Sequence, residues 1–263
     1  MLLASAVQSQ YVISSAYRTL QVLLAFGAPP HRFTLAEVTA RLGLEKNQVF
    51  RSLKTLEEAG FVRVESDGRY ALTAIVGVLA GAAAGSPQAS LVEVAAPQLD
   101  RVVAATRESV NLFVLAGETA VCVDRRDSPQ VVRVESVLGR SVTLHAGAAP
   151  KAILAFMPPA EREAVLAQLG QYQRYTDRTI LDPDVLREDL AAIRERGYAI
   201  SDEDVDSSAR GVGAPILGRD GFPVGAVSVG GPSFRVTREK LCSFGELISQ
   251  VGRAVSRQLG FPG

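Results

Sequence analysis

Tryptophan is missing from this chain of 263 residues, and cysteine and histidine occur only twice each. Cys122 and Cys242 stand far apart, in strand-like and helix-like apolar settings. That spacing argues against a disulfide framework and predicts two buried thiols. His31 and His145 are too few for a histidine-rich metal centre, so neither metal nor cofactor is expected. Charge of one sign is lacking as well. The 28 basic and 28 acidic side chains cancel, which excludes a global basic field. The apolar stretch 74–84 is too short and too glycine-broken to span a bilayer. No charged leader precedes the apolar residues of 1–7, so the expectation is a cytoplasmic chain with no membrane partner. A nucleophile elbow, a P-loop and a zinc signature are all absent, and the chain is read as no enzyme.

What is present begins at Thr34. Thr34-Leu35-Ala36-Glu37-Val38 has the form of a capping box, in which Thr34 caps a helix and Glu37 closes it. Leu35, Val38 and Leu42 repeat on one face, and Gly43 ends the helix as a C′ glycine does. A second helix is predicted over about 46–59 with Val49, Leu53 and Leu56 inward. Its opposite face carries Asn47, Gln48, Arg51, Lys54 and Thr55, with Lys46 at its start. These are the donors and acceptors that base edges and phosphates require. Residues 62–65 and 69–72 alternate around Ser66-Asp67-Gly68, a hairpin signal that forms a wing. Thr34, Arg63 and Arg69 complete the expected DNA-contacting set. Residues 1–78 hold eight basic and six acidic side chains, a net of +2, leaving −2 for the remainder. Lys46, Arg51 and Lys54 stand locally unopposed. One such head offers few phosphate contacts, so two heads on one double-stranded DNA site are expected, and with them a dimer.

Length argues for two domains. Residues 1–12 are read as a loose arm, followed by a helix from Ser14 or Ser15 to Phe26 with Tyr17, Leu20, Leu23 and Leu24 inward. After the wing, an Ala- and Gly-rich segment reads as a connecting helix. Residues 89–107 form an amphipathic helix in which Pro97 is a candidate kink. Strands are expected over 110–115 and 119–124 as a hairpin, over 131–137 as a third, and then over 198–200, 213–217 and 224–229. Helices fall between them at 149–156, 161–169 and 183–196, and a long one closes the chain at 237–259. Strands outnumber crossovers, so the class is α+β with an antiparallel sheet. The boundaries are 1–73 for the winged helix-turn-helix, 74–88 for the connector and 89–263 for the second domain.

In this order the chain resembles the IclR family of transcriptional regulators over almost its whole length. The likeness rests on Thr34-Leu35-Ala36-Glu37-Val38 and on the run 49–62 in the head. In the second half it rests on the run 145–155, on Arg194-Glu195-Arg196-Gly197-Tyr198-Ala199, on Ala214-Pro215-Ile216 and on the run 225–232. Two departures stand out. Pro150 occupies a usual glycine position, and Glu45 starts the recognition helix where Ser, Thr or Pro is common. The resemblance implies a GAF-like effector-binding and oligomerisation domain, an organic-acid effector, a dimeric or tetrameric state, and repression as the commoner outcome.

By the same resemblance Val134, Val142, Ala148, Ala149, Ser201, Ala209, Gly211, Ser228 and Gly230 surround the effector. Chemistry agrees for Ala148 and Ala149, since amides at a helix N-terminus favour an anion. Ser201 and Ser228 offer hydroxyls, Val134 and Val142 an apolar wall, and the small residues at 209, 211 and 230 room for an aromatic or branched acid. His145 is a further candidate, equally readable as a structural histidine bonded to a loop. Lys151 is expected to pair with an acid or lie at the surface. Residues 202–206 read as a solvated acidic loop without calcium-loop spacing. Two competing readings are a constitutive DNA-binding scaffold whose second domain only oligomerises, and a DNA-tethered enzyme using Lys151, His145 and the acids of 201–206.

Overall fold

Thr34 does cap a helix: its hydroxyl accepts from Glu37 N–H, and the Glu37 carboxylate accepts from Thr34 N–H at 2.7 Å. The structure, a computed structural model, describes residues 12–27, 30–76, 79 and 87–262. It divides into two units, 1–84 and 85–263. The first holds α1 (Ser14–Ala25), β1 (Arg32–Phe33), α2 (Leu35–Leu42), α3 (Lys46–Glu58), β2 (Val62–Val64) and β3 (Tyr70–Leu72). Gly43 ends α2 at φ 62°, a left-handed conformation that favours glycine, and so turns the chain into α3. The three strands form an antiparallel sheet in the order β1-β3-β2. Val22, Phe26, Phe33, Val38, Val49, Leu53, Leu56, Val62 and Tyr70 make its core. Phe26 meets Phe33 edge-on at 5.5 Å.

The inward stripe of α1 is not the predicted one. Val22 and Phe26 are buried and Leu23 packs against the core as expected, whereas Tyr17, Leu20 and Leu24 are about half exposed. The periodic signal was ambiguous because apolar residues occupy both faces, and the face bearing Val22 and Phe26 meets α3. Neither serine caps the helix; Ile13 is the N-cap and makes no side-chain bond. Residues 1–11 of the predicted arm and residues 77, 78 and 80–86 of the predicted connector lie outside the described residues.

The second unit holds α4 (Pro87–Thr106), β4 (Ser109–Ala116), β5 (Thr119–Arg126), β6 (Ser141–Thr143), α5 (Ala148–Phe156) and α6 (Pro159–Ala167). There follow α7 (Pro183–Arg196), β7 (Ala199–Asp202), β8 (Ala209–Leu217), β9 (Pro223–Pro232) and α8 (Arg238–Gln258). The six-stranded sheet has the order β6-β5-β4-β9-β8-β7, with every neighbouring pair antiparallel. Side chains alternate across it. Val110, Leu112, Val212, Ala214, Val227 and Val229 face α4 and α8, while Phe113, Ala120, Ala199 and Ala226 face α5, α6 and α7. Helices therefore cover both faces, and α4 runs through Pro97.

Residues 131–137 are a loop, not the expected strand; the third strand is Ser141–Thr143. The alternating valines mislead because Val131 is 96% exposed and Val132 and Val137 are more than half exposed. Side chains rather than a ladder bond two of the loop carbonyls: Arg235 donates to Val132 O and Arg125 to Ser136 O. Cys122 is buried as expected, with burial pushing its thiol pKa up to about 12. Cys242 is exposed on α8, against expectation, because the long helix has a solvent face.

Candidate functional site

Helix α3 buries Val49, Ser52, Leu53 and Leu56 and turns the rest outward. Lys46, Asn47, Phe50, Arg51, Lys54 and Thr55 are exposed on one continuous face, with Gln48 half-buried at its edge. Among the described residues, the side chains of Lys46, Asn47, Gln48 and Arg51 make no hydrogen bond or ion pair. Lys54 is not free: it donates to Glu57 at 2.7 Å, which raises its pKa. Thr55 donates to Arg51 O at 2.9 Å, and the Thr34 hydroxyl is spent in the capping box.

The wing arginines are also engaged. Arg63 reaches Glu65 at 3.0 Å, and Arg69 reaches Glu37 at 2.8 Å, tying the wing to α2. The Thr34 N–H first, then the Thr34 hydroxyl and Arg69, hold the Glu37 carboxyl below the usual range. Exposed ion pairs of this kind contribute little, so a phosphate could replace either carboxylate. Phe50, 43% exposed among these polar groups, was missed in sequence. Its position one residue past the inward Val49 was the available signal.

In the second unit two rows of side chains cross the sheet on the face toward α5. One runs Ser201–Gly211–Gly230–Ser109 over β7, β8, β9 and β4. The next runs Gly213–Ser228–Asn111–Arg125 over β8, β9, β4 and β5. Gly213 is what seats α5. A Cβ there would lie 2.7 Å from Ala148 C and Ala149 N, so the missing side chain lets the helix N-terminus rest on β8 beside Ser228. Gly213→Ala should therefore cost about 1–3 kcal/mol of the second unit's stability by overpacking. Gly170→Ala, where a Cβ meets nothing within 4 Å, should stay within about 0.5 kcal/mol. Thermal unfolding of both variants checks this; equal melting points would contradict the seating.

Ser228 is 9% exposed and its hydroxyl has no hydrogen-bond partner; its cross-strand neighbour Asn111 is half-buried with a free amide, among the described residues. Asn111 was not singled out in sequence, since only strand pairing places it beside Ser228. Arg125 closes the row but is committed to Ser136 O, Glu135 and Asp127. Gly211 and Gly230 are glycines for a different reason than room for ligand. A Cβ on either would strike the facing strand, at 2.8 Å from Val229 O or 2.9 Å from Arg210 O. Ala209 is half-buried on the same face, Val142 packs against the adjoining core, and Val134 is half-buried in the loop that Arg125 holds.

The helix N-terminus carries its own carboxylate. Gly147 N–H donates to Asp204 at 3.2 Å, while Lys151 lies 3.1 Å from Asp204 and 3.0 Å from Asp189. Ser201 also donates to Asp204, so its hydroxyl is already committed. Lys151 is thus paired, as one reading allowed, but it is buried; burial pulls its pKa down and the two carboxylates more than offset this, leaving it raised. The acidic loop is solvated as predicted only at Asp206, which is exposed. Asp204 is buried, and Asp202 pairs with Arg178, Arg210 and Arg238, because basic groups from three other segments converge on it. Helix geometry leaves the first N–H groups of α5 without intrahelical acceptors, and beyond Gly147 these belong to Ala148 and Ala149.

His145 is structural in its bonding. Its ring stacks on Tyr172 at 5.0 Å and Tyr175 at 5.7 Å. Nε2–H donates to Gln173 O at 3.1 Å, which leaves Nδ1 to accept from the Thr143 hydroxyl at 2.9 Å. Burial lowers its pKa, favouring that neutral form. Among the described residues no group of His, Cys, Asp and Glu could hold a metal ion, and no helix is long and apolar enough to cross a membrane.

A winged helix-turn-helix with an exposed polar face on its second helix, on a chain whose second unit is a helix-covered antiparallel sheet, defines a DNA-binding transcriptional regulator. Residues 15–66 match the IclR helix-turn-helix domain, and residues 86–257 match the bacterial transcriptional regulator IclR C-terminal domain. The chain belongs to the IclR family of transcriptional regulators, a family of regulators rather than enzymes. It is 31% identical to the transcriptional repressor AllR of Escherichia coli over 86% of this chain and 83% of that one. It is 28% identical to the transcriptional regulator KipR of Bacillus subtilis, over 87% and 90%. Among solved structures, the Thermotoga maritima IclR protein matches with a TM-score of 0.70 and 27% identity, covering 95% of this chain and 100% of that one. An IclR homologue of Microbacterium hydrocarbonoxydans complexed with 4-hydroxybenzoate has the same fold, with a TM-score of 0.67 at 23% identity over 93% and 98%.

Proposed function

We propose that this chain is a cytoplasmic repressor whose grip on a palindromic operator changes when a small organic acid occupies the second unit. Lys46, Asn47, Gln48 and Arg51 read one half-site from the major groove. Lys54, Thr55, Arg63, Arg69 and the capped α2 start at Thr34 lie against the backbone. A single head offers few contacts, so the working form is a homodimer or homotetramer. The repressor reading draws on the name of the AllR relative. The acid reading also has the 4-hydroxybenzoate complex of the Microbacterium homologue behind it.

The observation that carries the effector site is the unpartnered pair Ser228 and Asn111 beneath the N-terminus of α5. A hydroxyl with no partner inside the protein is free to donate to a ligand carboxylate, and a hydrogen bond to a charged group is worth more than a neutral one. The carboxylate is held by the Ala148 and Ala149 amides and Ser228. Val134 and Val142 contact an aromatic or branched body, a reading to which Gly211 and Gly230 no longer contribute. Isothermal titration against a panel of aromatic, branched and two-carbon acids checks this. Expected is binding of a larger acid to the wild type, weakened at least about tenfold by Ser228→Ala or Asn111→Leu, one lost hydrogen bond to a charged group each. Binding limited to glyoxylate-sized acids, or unaffected by either variant, would overturn the site. A panel with no binder would favour the constitutive scaffold.

A further inference from the structure

Phe50 is 43% exposed on the α3 face that carries Lys46, Asn47, Arg51 and Lys54. The helix does not need it for packing, because Val49, Leu53 and Leu56 already supply the inward stripe of the core. Of its four neighbours one turn away, Lys46, Asn47 and Lys54 are polar and exposed, while Leu53 turns into the core. It is the one large apolar side chain exposed on α3. A lone apolar group ringed by hydrogen-bond donors and cations has one matching feature in the major groove, the 5-methyl group of thymine.

We propose that Phe50 packs against the methyl of one thymine in each half-site, and so selects a T·A pair where no hydrogen bond does. This rests on the reading that the α3 face enters the major groove. Phe50 is then a specificity residue beside the hydrogen-bonding set, acting through shape and desolvation.

The test begins with an operator selected from a random duplex pool by the full-length chain. Each thymine is then replaced singly by 2′-deoxyuridine, which removes the methyl and leaves every hydrogen-bonding group in place. Affinities are measured for the wild type, Phe50→Ala, Phe50→Leu and Arg51→Ala. At one thymine per half-site the replacement should weaken the wild type about fourfold, the value of one buried methyl group. Arg51→Ala should show the same ratio, Phe50→Leu part of it and Phe50→Ala none. Since Phe50 is exposed, Phe50→Ala should melt with the wild type. Three results would overturn the proposal: deoxyuridine harmless to the wild type everywhere, Phe50→Ala as sensitive as the wild type, or Phe50→Ala dissociating the oligomer in sedimentation while keeping the wild-type thymine dependence. The last would assign Phe50 to a contact between copies of the chain. A pool that enriches no sequence would contradict the DNA-reading face itself and this contact with it, whereas Arg51→Ala losing the operator with thymine methyls irrelevant would remove only Phe50.

Discussion

Replacing Lys151 by methionine should destabilise the second unit by about 3–5 kcal/mol, the cost of removing one partner from a buried ion network. The side chain is 5% exposed and faces two carboxylates, Asp189 at 3.0 Å and Asp204 at 3.1 Å. Arg196, at 3.4 Å from Asp189, still serves that group. Asp204 would keep only the Gly147 N–H and the Ser201 hydroxyl. Adding Asp204→Asn should therefore restore part of the loss, a coupling expected between neighbours in one network. The folded-state pKa of Lys151 is raised, so its contribution is fully present below the ordinary value of 10.5 and is lost as pH rises through the higher folded value. The deficit should hold steady from neutral pH up to that ordinary value and shrink only above it. Chemical unfolding of the wild type, the single and the double variant at several pH values checks both statements. A deficit under about 1 kcal/mol would mean that water reaches the network.

Arg51→Ala should weaken operator binding by about 1–3 kcal/mol for each half-site. The residue sits at the middle of the exposed α3 face and has no partner within the head, so nothing inside the protein competes for its guanidinium. Arg69→Ala removes a side chain that already holds Glu37 and should cost less. A gel-shift series at several salt concentrations separates their roles. Loss of a phosphate contact lowers the salt slope by about one, whereas loss of a base contact relaxes specificity at one position. An unchanged Arg51→Ala affinity would put the reading face elsewhere.

The head was legible because each of its signals is local. A capping box, a C′ glycine, a single apolar stripe and an Asp-Gly turn each concern residues within one or two turns, and α2, α3 and the wing follow them. In α1 two faces competed, and the contact with α3, which is not local, decided for Val22 and Phe26. The effector side was legible as architecture and less so as chemistry. Periodicity found most of the sheet, but the valines of 131–137 look like a strand until side-chain bonds to their carbonyls are seen. Asn111 meets Ser228, and Lys151 meets Asp189 and Asp204, only through pairings between distant segments. The glycines at 211 and 230 suggested space, and the strand-to-strand approach shows them to be close contacts instead.

Asp204 stands at the start of α5, beside the proposed acid site. It already occupies the Gly147 N–H at the start of α5 and also holds Ser201 and Lys151, so an acid bound at Ala148 and Ala149 would place a second negative charge beside it. A ligand shifts operator binding only by the difference in its affinity for the free and DNA-bound forms, and the operator must weaken or strengthen the acid by the same factor. The most direct measurement is operator affinity of the full-length chain, by fluorescence anisotropy, with and without a saturating acid found by titration. A repressor of this build should lose about five- to 150-fold in operator affinity with the acid bound, the usual range of coupling, and Ser228→Ala should lose the response while binding the operator normally. An acid that occupies the second unit and leaves operator affinity unchanged would contradict it.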